Sequence, residues 1–413
     1  MLDLSVKCNA ALPRRALFYS HDTVGLGHLR RTMLICEGLG KRLDNLSTLI
    51  VTGSPMAHGF RMPQGVDYVK MPSVVKLDNE LYASRTLPIP FQQTLALREE
   101  IIFQTVSHYQ PDFFFVDNVP LGMKGELRKT LEYIREELPA TRVILNLRDI
   151  VDSARHVVPL WRQYGVYDVL EKFYDRIFIY GQPAIFDPLK EYGFPDRVRS
   201  KSRFCGYIPR SVNKQASERL RQRLQIRDGK FIVLTVGGGS DGAPIIDAYL
   251  KALPLVMKKT SLASVVLLGS EIGSREAQRF KARAGEPEVR LVGFCDDPLT
   301  YLDAADLVVS MAGYNTVSEI MALGKRAIVI PRTSPRQEQL IRARRLHELG
   351  LLHMIHPSNL TPELLADRIL AMLDSTEPPS MPTLDFRGMD RLGDEMQLLV
   401  NDSVERQLTM EAV

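Results

Sequence analysis

Several features are scarce or missing in this 413-residue chain. Its four cysteines, Cys8, Cys36, Cys205 and Cys295, lie far apart. They form no Cys-x-x-Cys pair and no Cys/His cluster, which argues against a zinc site and against a disulfide framework. Reduced thiols in a cytoplasmic setting fit this usage. No uninterrupted apolar run approaches the roughly 20 residues that a membrane-spanning helix needs. The apolar part of the opening stretch "MLDLSVKCNAALPRRALFYS" is too short and too polar for a signal peptide. Charge of one sign is not concentrated either. The net charge of +4 divides about evenly between the two halves, and no basic arm stands out. Nucleic-acid binding is therefore not suggested. A mildly basic surface still suits anionic substrates or lipid headgroups.

What is present is ordinary in composition and regular in pattern. Apolar residues make up 45% and charged residues 25%, as in a soluble globular protein. The length is too great for one common α/β domain and comfortable for two. Strand-like runs alternate with helix-like segments: "RALFYS" (15–20), "LSTLIVTG", "DFFFVDNVP", "RVILNLRDIVD" and "RIFIYG" (176–181) in the first half. Helices are expected at about 29–40, 94–109 and 125–138, and residues 62–94, rich in proline, read as an extended loop. "RFCGYIPR" (203–210) reads as a last strand and a linker. The alternation then restarts with "KFIVLTVGGGSDG", "ASVVLLGS", "VRLVGF", "LVVS" and "RAIVIP". "LLHMIHP" reads as an edge strand, and Thr361 and Pro362 open a helix as cap and first residue. A Pro-rich connector and a terminal helix at about 389–407 close the chain. The fold class expected is α/β, with two doubly wound parallel sheets. In such sheets ligands bind at the carboxyl ends of strands, so the loops there are the candidates.

Five loops qualify. The first, "SMAGYNTVSE" (310–319), runs from a buried strand through Gly313 into a helix. Asn315 or Thr316 is a candidate N-cap, and Glu319 either closes a capping box or faces a ligand. The free N–H groups of such a helix start attract anions. The second, "GGGSDG" (237–242), can bring backbone N–H groups close to phosphates, although it has neither the Walker pattern nor a GxGxxG spacing. The third is "GLGHLRR" (25–31). A helix N-terminus disfavours protonation of His28 and leaves a neutral imidazole able to act as a base. Arg30 and Arg31 either meet an anion or are solvated. The fourth is Asp117, after four apolar residues, which either partners His28 or caps the next segment. In the nearby "LRDIVD" (147–152), Arg148 and Asp149 are expected to pair with each other. The fifth is "QEQ" (337–339), whose adjacent acceptor and amide groups suit sugar hydroxyls.

The order GxGH, GGGSDG, GYNTVSE and EQ resembles that of the GT-B glycosyltransferases. The resemblance is greatest to a family 28-like branch, that of the N-acetylglucosaminyltransferases that make lipid II and of related bacterial chains. It covers nearly the whole chain, most specifically 210–355 and least specifically 62–110. It implies two Rossmann-like domains facing across a cleft: an acceptor-side domain at 1–205, a linker at 206–210, a nucleotide-sugar domain at 211–384, and a terminal helix at 385–413 that crosses back. It implies that Gly238, Gly239 and Ser240 contact the donor diphosphate, with Gly313 and Asn315 in the same grip. Thr316 would meet phosphate, Glu319 the ribose hydroxyls, and Phe294 would lie near the base. Glu338 and Gln339 would read the donor sugar. Glu338 stands where the lipid II enzyme has Gln, and this departs from the N-acetylglucosamine pattern.

The function expected is transfer of a hexose-type sugar from a nucleotide diphosphate donor, UDP-linked, to an acceptor hydroxyl. His28 would be the base and Asp117 its partner or replacement, with inversion at the anomeric carbon. No cofactor and no metal are expected, in keeping with the absence of Asp-x-Asp from the sequence. The acceptor is a lipid-linked or small molecule, and "LPIPFQQTLALREEIIF" reads either as a contact with a lipid acceptor or membrane face or as a packed helix. Location is cytoplasmic, with peripheral contact to the inner membrane face as a variant. Two rivals stand beside this reading: a nucleotide-sugar 2-epimerase on the same fold, and a non-catalytic subunit that keeps only the donor grip.

Overall fold

Continuous apolar runs bury both faces of two parallel sheets, and these sheets frame the molecule. The computed structural model describes residues 14–21, 27–78, 81–226, 229–238, 241–269, 272–284, 288–293, 295–375 and 384–411. The strands of the first half are β1 (Arg14–Ser20), β2 (Leu46–Thr52), β3 (Val66–Lys70), β4 (Val74–Asp78), β5 (Leu81–Ser84), β6 (Phe113–Asp117), β7 (Arg142–Arg148), β8 (Arg176–Tyr180) and β9 (Ser202–Phe204). Those of the second are β10 (Lys230–Thr235), β11 (Leu262–Leu267), β12 (Val289–Val292), β13 (Leu307–Ser310), β14 (Arg326–Val329) and β15 (His353–Met354). The helices are α1 (Gly27–Gly40), α2 (Phe91–Tyr109), α3 (Arg128–Glu137), α4 (Ala154–Gln163), α5 (Val166–Phe173), α6 (Pro188–Glu191), α7 (Asp196–Ser200), α8 (Lys214–Arg223), α9 (Ala243–Met257), α10 (Ser274–Ala284), α11 (Pro298–Ala304), α12 (Tyr314–Ala322), α13 (Glu338–Glu348), α14 (Pro362–Asp374) and α15 (Gly388–Glu411).

The first sheet runs β3-β2-β1-β6-β7-β8-β9 and the second β12-β11-β10-β13-β14-β15. All their pairings are parallel. Chain order reverses between β1 and β6 in one sheet and between β10 and β13 in the other. Those reversals open the crevices where such sheets take ligands. Residues of β6 are buried throughout, and each fully buried aliphatic or aromatic side chain there stabilises by about 1.5–3 kcal/mol.

Residues 62–94 differ from the loop expected. Strand β3 adds to the sheet edge beside β2, and β4 and β5 form an antiparallel hairpin. These strands are short and half-exposed, so turn residues mask their weak alternation. The segment that follows is the packed helix α2, which buries Thr94, Arg98, Ile102 and Val106. Helices α4, α5 and α8 occupy stretches to which no element was ascribed.

Two crossings join the halves side by side. Tyr207 N–H donates to Asp385 O at 2.8 Å and Gly388 N–H to Tyr207 O at 3.1 Å. Gly206 sits at φ +83° there, and a Cβ on it would lie 2.7 Å from Asp385 O. Helix α15 then packs on the first half: Met389 lies over Gly38, Arg42 over Gly393, and Leu392, Met396, Leu399 and Val400 join the core around β1 and α1.

Candidate functional site

Because β1, β6 and β7 are neighbours, their carboxyl ends bring three distant residues together. His28 stands in the first turn of α1, just beyond β1. Its Nδ1 bonds Asp117 Oδ2 at the end of β6, and Arg148 Nη2, at the end of β7, donates to its Nε2. The other oxygen of Asp117 accepts from Arg31 Nη2. Asp117 is 3% exposed, and its side chain serves His28 and Arg31 rather than capping the segment that follows. Arg31 is buried, its guanidinium lying 5.9 Å from the Tyr180 ring and 5.6 Å from the Tyr314 ring. An anionic Asp117 accepts only, so the His28 proton sits on Nδ1 and Nε2 carries the lone pair. Burial, then the Arg148 charge, pull His28 down to a pKa of about 4 against the opposing pull of Asp117. The imidazole is neutral at neutral pH. Burial alone would raise the Asp117 carboxyl, but Arg31 and His28 outweigh it and hold the group well below its usual range.

Arg148 and Asp149 do not pair with each other, contrary to expectation. Adjacent strand-end residues point apart, so Arg148 faces His28 while Asp149 Oδ1 accepts from the buried Arg342 at 2.9 Å. His21 was not singled out in the sequence. It is buried at the end of β1, edge-on to His28 with ring centroids 5.7 Å apart. Below it lies a buried network in which Tyr19 OH donates to Glu126 and Arg98 pairs with the same carboxylate at 2.7 Å.

Across the cleft, Gly313 rather than Asn315 or Thr316 occupies the N-cap of α12. Asn315 and Thr316 therefore fall in the first turn, and Asn315 Nδ2 donates to Gly27 O at 3.1 Å. Glu319 falls in the second turn, too far along for a capping box. It is buried against the cleft and pairs with Arg210 of the linker at 2.7 Å. Burial raises its pKa and Arg210 opposes the rise. Gly238 lines the cleft, whereas Gly239, Ser240 and Phe294 lie outside the described residues. Gly269, at φ +85°, lets the end of β11 come close to this glycine loop: a Cβ there would lie 2.4 Å from Gly237 O. Arg332 ties the far end together. Its Nη2 pairs with Glu338 Oε1, its Nη1 reaches Asp241 at 3.4 Å, and its N–H donates to Gln339 Oε1 at 3.1 Å. Glu338 Oε2 is buried and has no hydrogen-bond partner among the described residues.

These groups line a cleft of about 360 Å³. Arg30, Arg31, Lys76, Arg148, Arg210, Arg332, Arg336 and Arg342 face it, against the carboxylates Glu319 and Glu338 among the described residues. The cleft is thus basic although the chain is nearly balanced. Long-range pairing hid this, since no basic run marks it in the sequence. Among the described residues no three His, Cys, Asp or Glu side chains gather as metal ligands.

Two facing doubly wound sheets, a basic cleft at their switch points and a helix N-terminus aimed into it define a GT-B protein. Residues 233–385 match the family model "Glycosyltransferase family 28 C-terminal domain", which bears out the resemblance seen in the sequence. The chain is 37% identical over 153 residues to the UDP-N-acetylglucosamine--N-acetylmuramyl-(pentapeptide) pyrophosphoryl-undecaprenol N-acetylglucosamine transferase of Syntrophotalea carbinolica, covering 36% of this chain and 42% of that one. The chain spans about half the length of the curated relatives it matches. In structure it is similar to MurG of Acinetobacter baumannii, with a TM-score of 0.58 at 14% identity over 93% of this chain and 99% of that one. It is also similar to MnaA of S. aureus in complex with UDP, with a TM-score of 0.62 at 13% identity over 94% and 97%. These likenesses establish the fold.

Proposed function

We propose that the protein is a glycosyltransferase that moves a hexose-type sugar from a UDP-linked donor to an acceptor hydroxyl. The observation that carries this is the pairing, across one cleft, of a neutral His28 held by Asp117 with the N-terminus of α12 and the buried Glu319. Glu319 accepts from the ribose hydroxyls. The first-turn N–H groups of α12, Thr316 and the glycine loop around Gly238 to Ser240 take the diphosphate, with Gly313 giving the backbone room and Asn315 holding the turn against α1. Phe294 lies by the base, and Glu338 and Gln339 read the sugar. The unpartnered Glu338 Oε2 supports that assignment, because a sugar hydroxyl can satisfy it.

In the reaction the acceptor oxygen attacks the anomeric carbon from the side opposite the diphosphate, which inverts the centre. His28 Nε2 takes the hydroxyl proton while the bond to the leaving oxygen breaks. Asp117 steadies the imidazolium that forms. The negative charge that develops on the leaving diphosphate is met by the helix terminus and nearby guanidiniums, so no metal is required. The domain division at 206–210 supplies the hinge about which the cleft closes. The acceptor carries a lipid chain and brings the protein to the cytoplasmic membrane face as a peripheral protein. This is supported by the exposed Leu77 and Leu81 of the hairpin, Leu87 in the bend after it and Leu97 of α2. An epimerase reading is not favoured: the sequence matches are to transferases, and a single base with an anionic partner suits deprotonation of an acceptor.

Calorimetric titration with UDP, GDP, TDP and ADP, with chelator present, tests the donor site. UDP-selective binding that is lost in Glu319→Ala is expected. Absence of binding to every nucleotide would remove the transferase reading and favour a non-catalytic subunit.

A further inference from the structure

The atom that must take the acceptor's proton is already engaged. Nδ1–H of His28 is committed to Asp117, so Nε2 is the one nitrogen that can act as base, and Arg148 Nη2 donates to it. A guanidinium gives protons and accepts none in return, and while this bond lasts the base is blocked. The Arg148 guanidinium is also poorly compensated. Its one side-chain hydrogen bond among the described residues is to His28, and its Nε is buried without a partner. The nearby carboxylates are used elsewhere: Asp117 by His28 and Arg31, Asp149 by Arg342, and Glu338 by Arg332. Three guanidiniums, Arg31, Arg148 and Arg342, thus share two carboxylates, Asp117 and Asp149, around a neutral imidazole, and one positive charge is left over.

We propose that Arg148 keeps the His28 base blocked until an oxyanion carried by the acceptor, beside its reacting hydroxyl, draws the guanidinium away. A planar fork binds carboxylate or phosphate through two charge-assisted hydrogen bonds, which are stronger than one bond to a neutral imidazole. A water molecule or a neutral alcohol offers no such exchange. The device therefore both selects an anionic acceptor and protects the donor from hydrolysis. It makes Arg148 a positioning residue that acts through His28, and it rests on the reading of His28 as the base. The charged groups that face His28 are Asp117 from β6, Arg148 from β7 and Arg31 from its own helix, with His21 beside the ring and Arg336 facing His21 from across the cleft.

The test is NMR titration of His28 in the full chain labelled in histidine, assigned with His28→Gln and saturated with UDP to fill the donor site. The probes are methyl phosphate, acetate and, as the neutral control, methanol. In the wild type an oxyanion should raise the His28 pKa from about 4 by about one unit or more, toward its ordinary value, and methanol should not. Arg148→Gln should show the raised pKa without any probe and no further response. Arg148→Lys, which keeps the charge but not the fork, should respond less than the wild type. A response to methyl phosphate alone specifies a phosphorylated acceptor, and one to acetate alone a carboxylated acceptor. A His28 titration that neither oxyanion moves, in protein that binds UDP, would overturn the inference and leave the donor site standing. So would an unchanged response in Arg148→Gln. A His28 response in protein that binds no UDP would support the role of Arg148 and remove the donor reading instead.

Discussion

The charge state of one imidazole decides the proposed chemistry and contributes to the acid sensitivity of the fold. If His28 is the base, His28→Ala should lower turnover by about 10²–10⁴-fold and leave UDP affinity unchanged. An unaltered rate would take the residue out of the mechanism. The same ring makes a prediction that needs no substrate. In the folded protein it stays neutral down to about pH 4, against an ordinary value of 6.5. Between those values the unfolded chain binds the extra proton. The contribution to stability is therefore retained above pH 6.5 and lost as the pH falls toward 4. Asp117, held below its ordinary 3.8, contributes above that value and loses its contribution as acid deepens further. Urea midpoints measured across pH 3–7 should fall first over the window in which the buried His28 and the likewise lowered His21 are forced to charge, and His28→Gln should shrink that limb without removing it. The sequence pointed to His28 and Asp117 because a glycine turn and an apolar strand place them at strand ends. It could not point to Arg148 or His21, whose roles come from neighbouring strands that lie far apart in the chain.

Elements buried on both faces were legible, and those with one wet face were not. β6, β10 and β13 are short apolar runs, and the structure forms a buried strand at each of them. Thr361 caps α14 through its side chain, with Pro362 at the first position, because Thr-Pro at a helix start has a local cause. The start of α12 was misjudged by two or three residues, since Gly313 can occupy the cap without contributing a side chain. β3, β4 and β5 escaped notice because edge and hairpin strands carry little apolar periodicity. That hairpin now makes a prediction of its own. Leu77 is 61% and Leu81 56% exposed, and together on one hairpin they offer an apolar contact to a bilayer. Burial of a leucine is worth about 1.5–3 kcal/mol. If a bilayer recovers half the lower figure from each, the double variant Leu77→Ser/Leu81→Ser should bind vesicles about tenfold more weakly. Flotation with liposomes of mixed neutral and anionic lipid measures this. Equal flotation of the two proteins, or none by the wild type, would remove the membrane contact.

The two halves are held to each other by polar groups that neither half would show alone. Arg342 from α13 reaches Asp149 beyond β7, 193 positions away. Asp152 accepts from Gln337 N–H at 2.8 Å, Tyr314 OH donates to Tyr180 O at 3.0 Å, and Asn315 bonds to Gly27 O. Gly27, Tyr314, Asn315 and Arg342 line the cleft themselves, so the placement of His28 relative to α12 depends on these bonds. The Arg342–Asp149 pair is 2% and 0% exposed. At such burial, desolvation offsets most of the attraction, and the pair contributes chiefly by requiring one relative placement of the halves. Removing one member is a different matter. Asp149 Oδ2 already has no hydrogen-bond partner among the described residues, and Arg342→Ala would leave a buried carboxylate with its main partner gone. That should cost about 3–5 kcal/mol. The apolar double variant Arg342→Met/Asp149→Leu should lose much less, because no charge is stranded. The two variants separate stability from placement. Differential scanning calorimetry should show Arg342→Ala with a lowered, broadened or divided transition, and the double variant with a transition near that of the wild type. Turnover should nonetheless fall in both, because each loses the buried ion pair that ties α13 to the end of β7 across the cleft. Full activity in a stable double variant would mean that the remaining contacts alone fix the distance across the cleft.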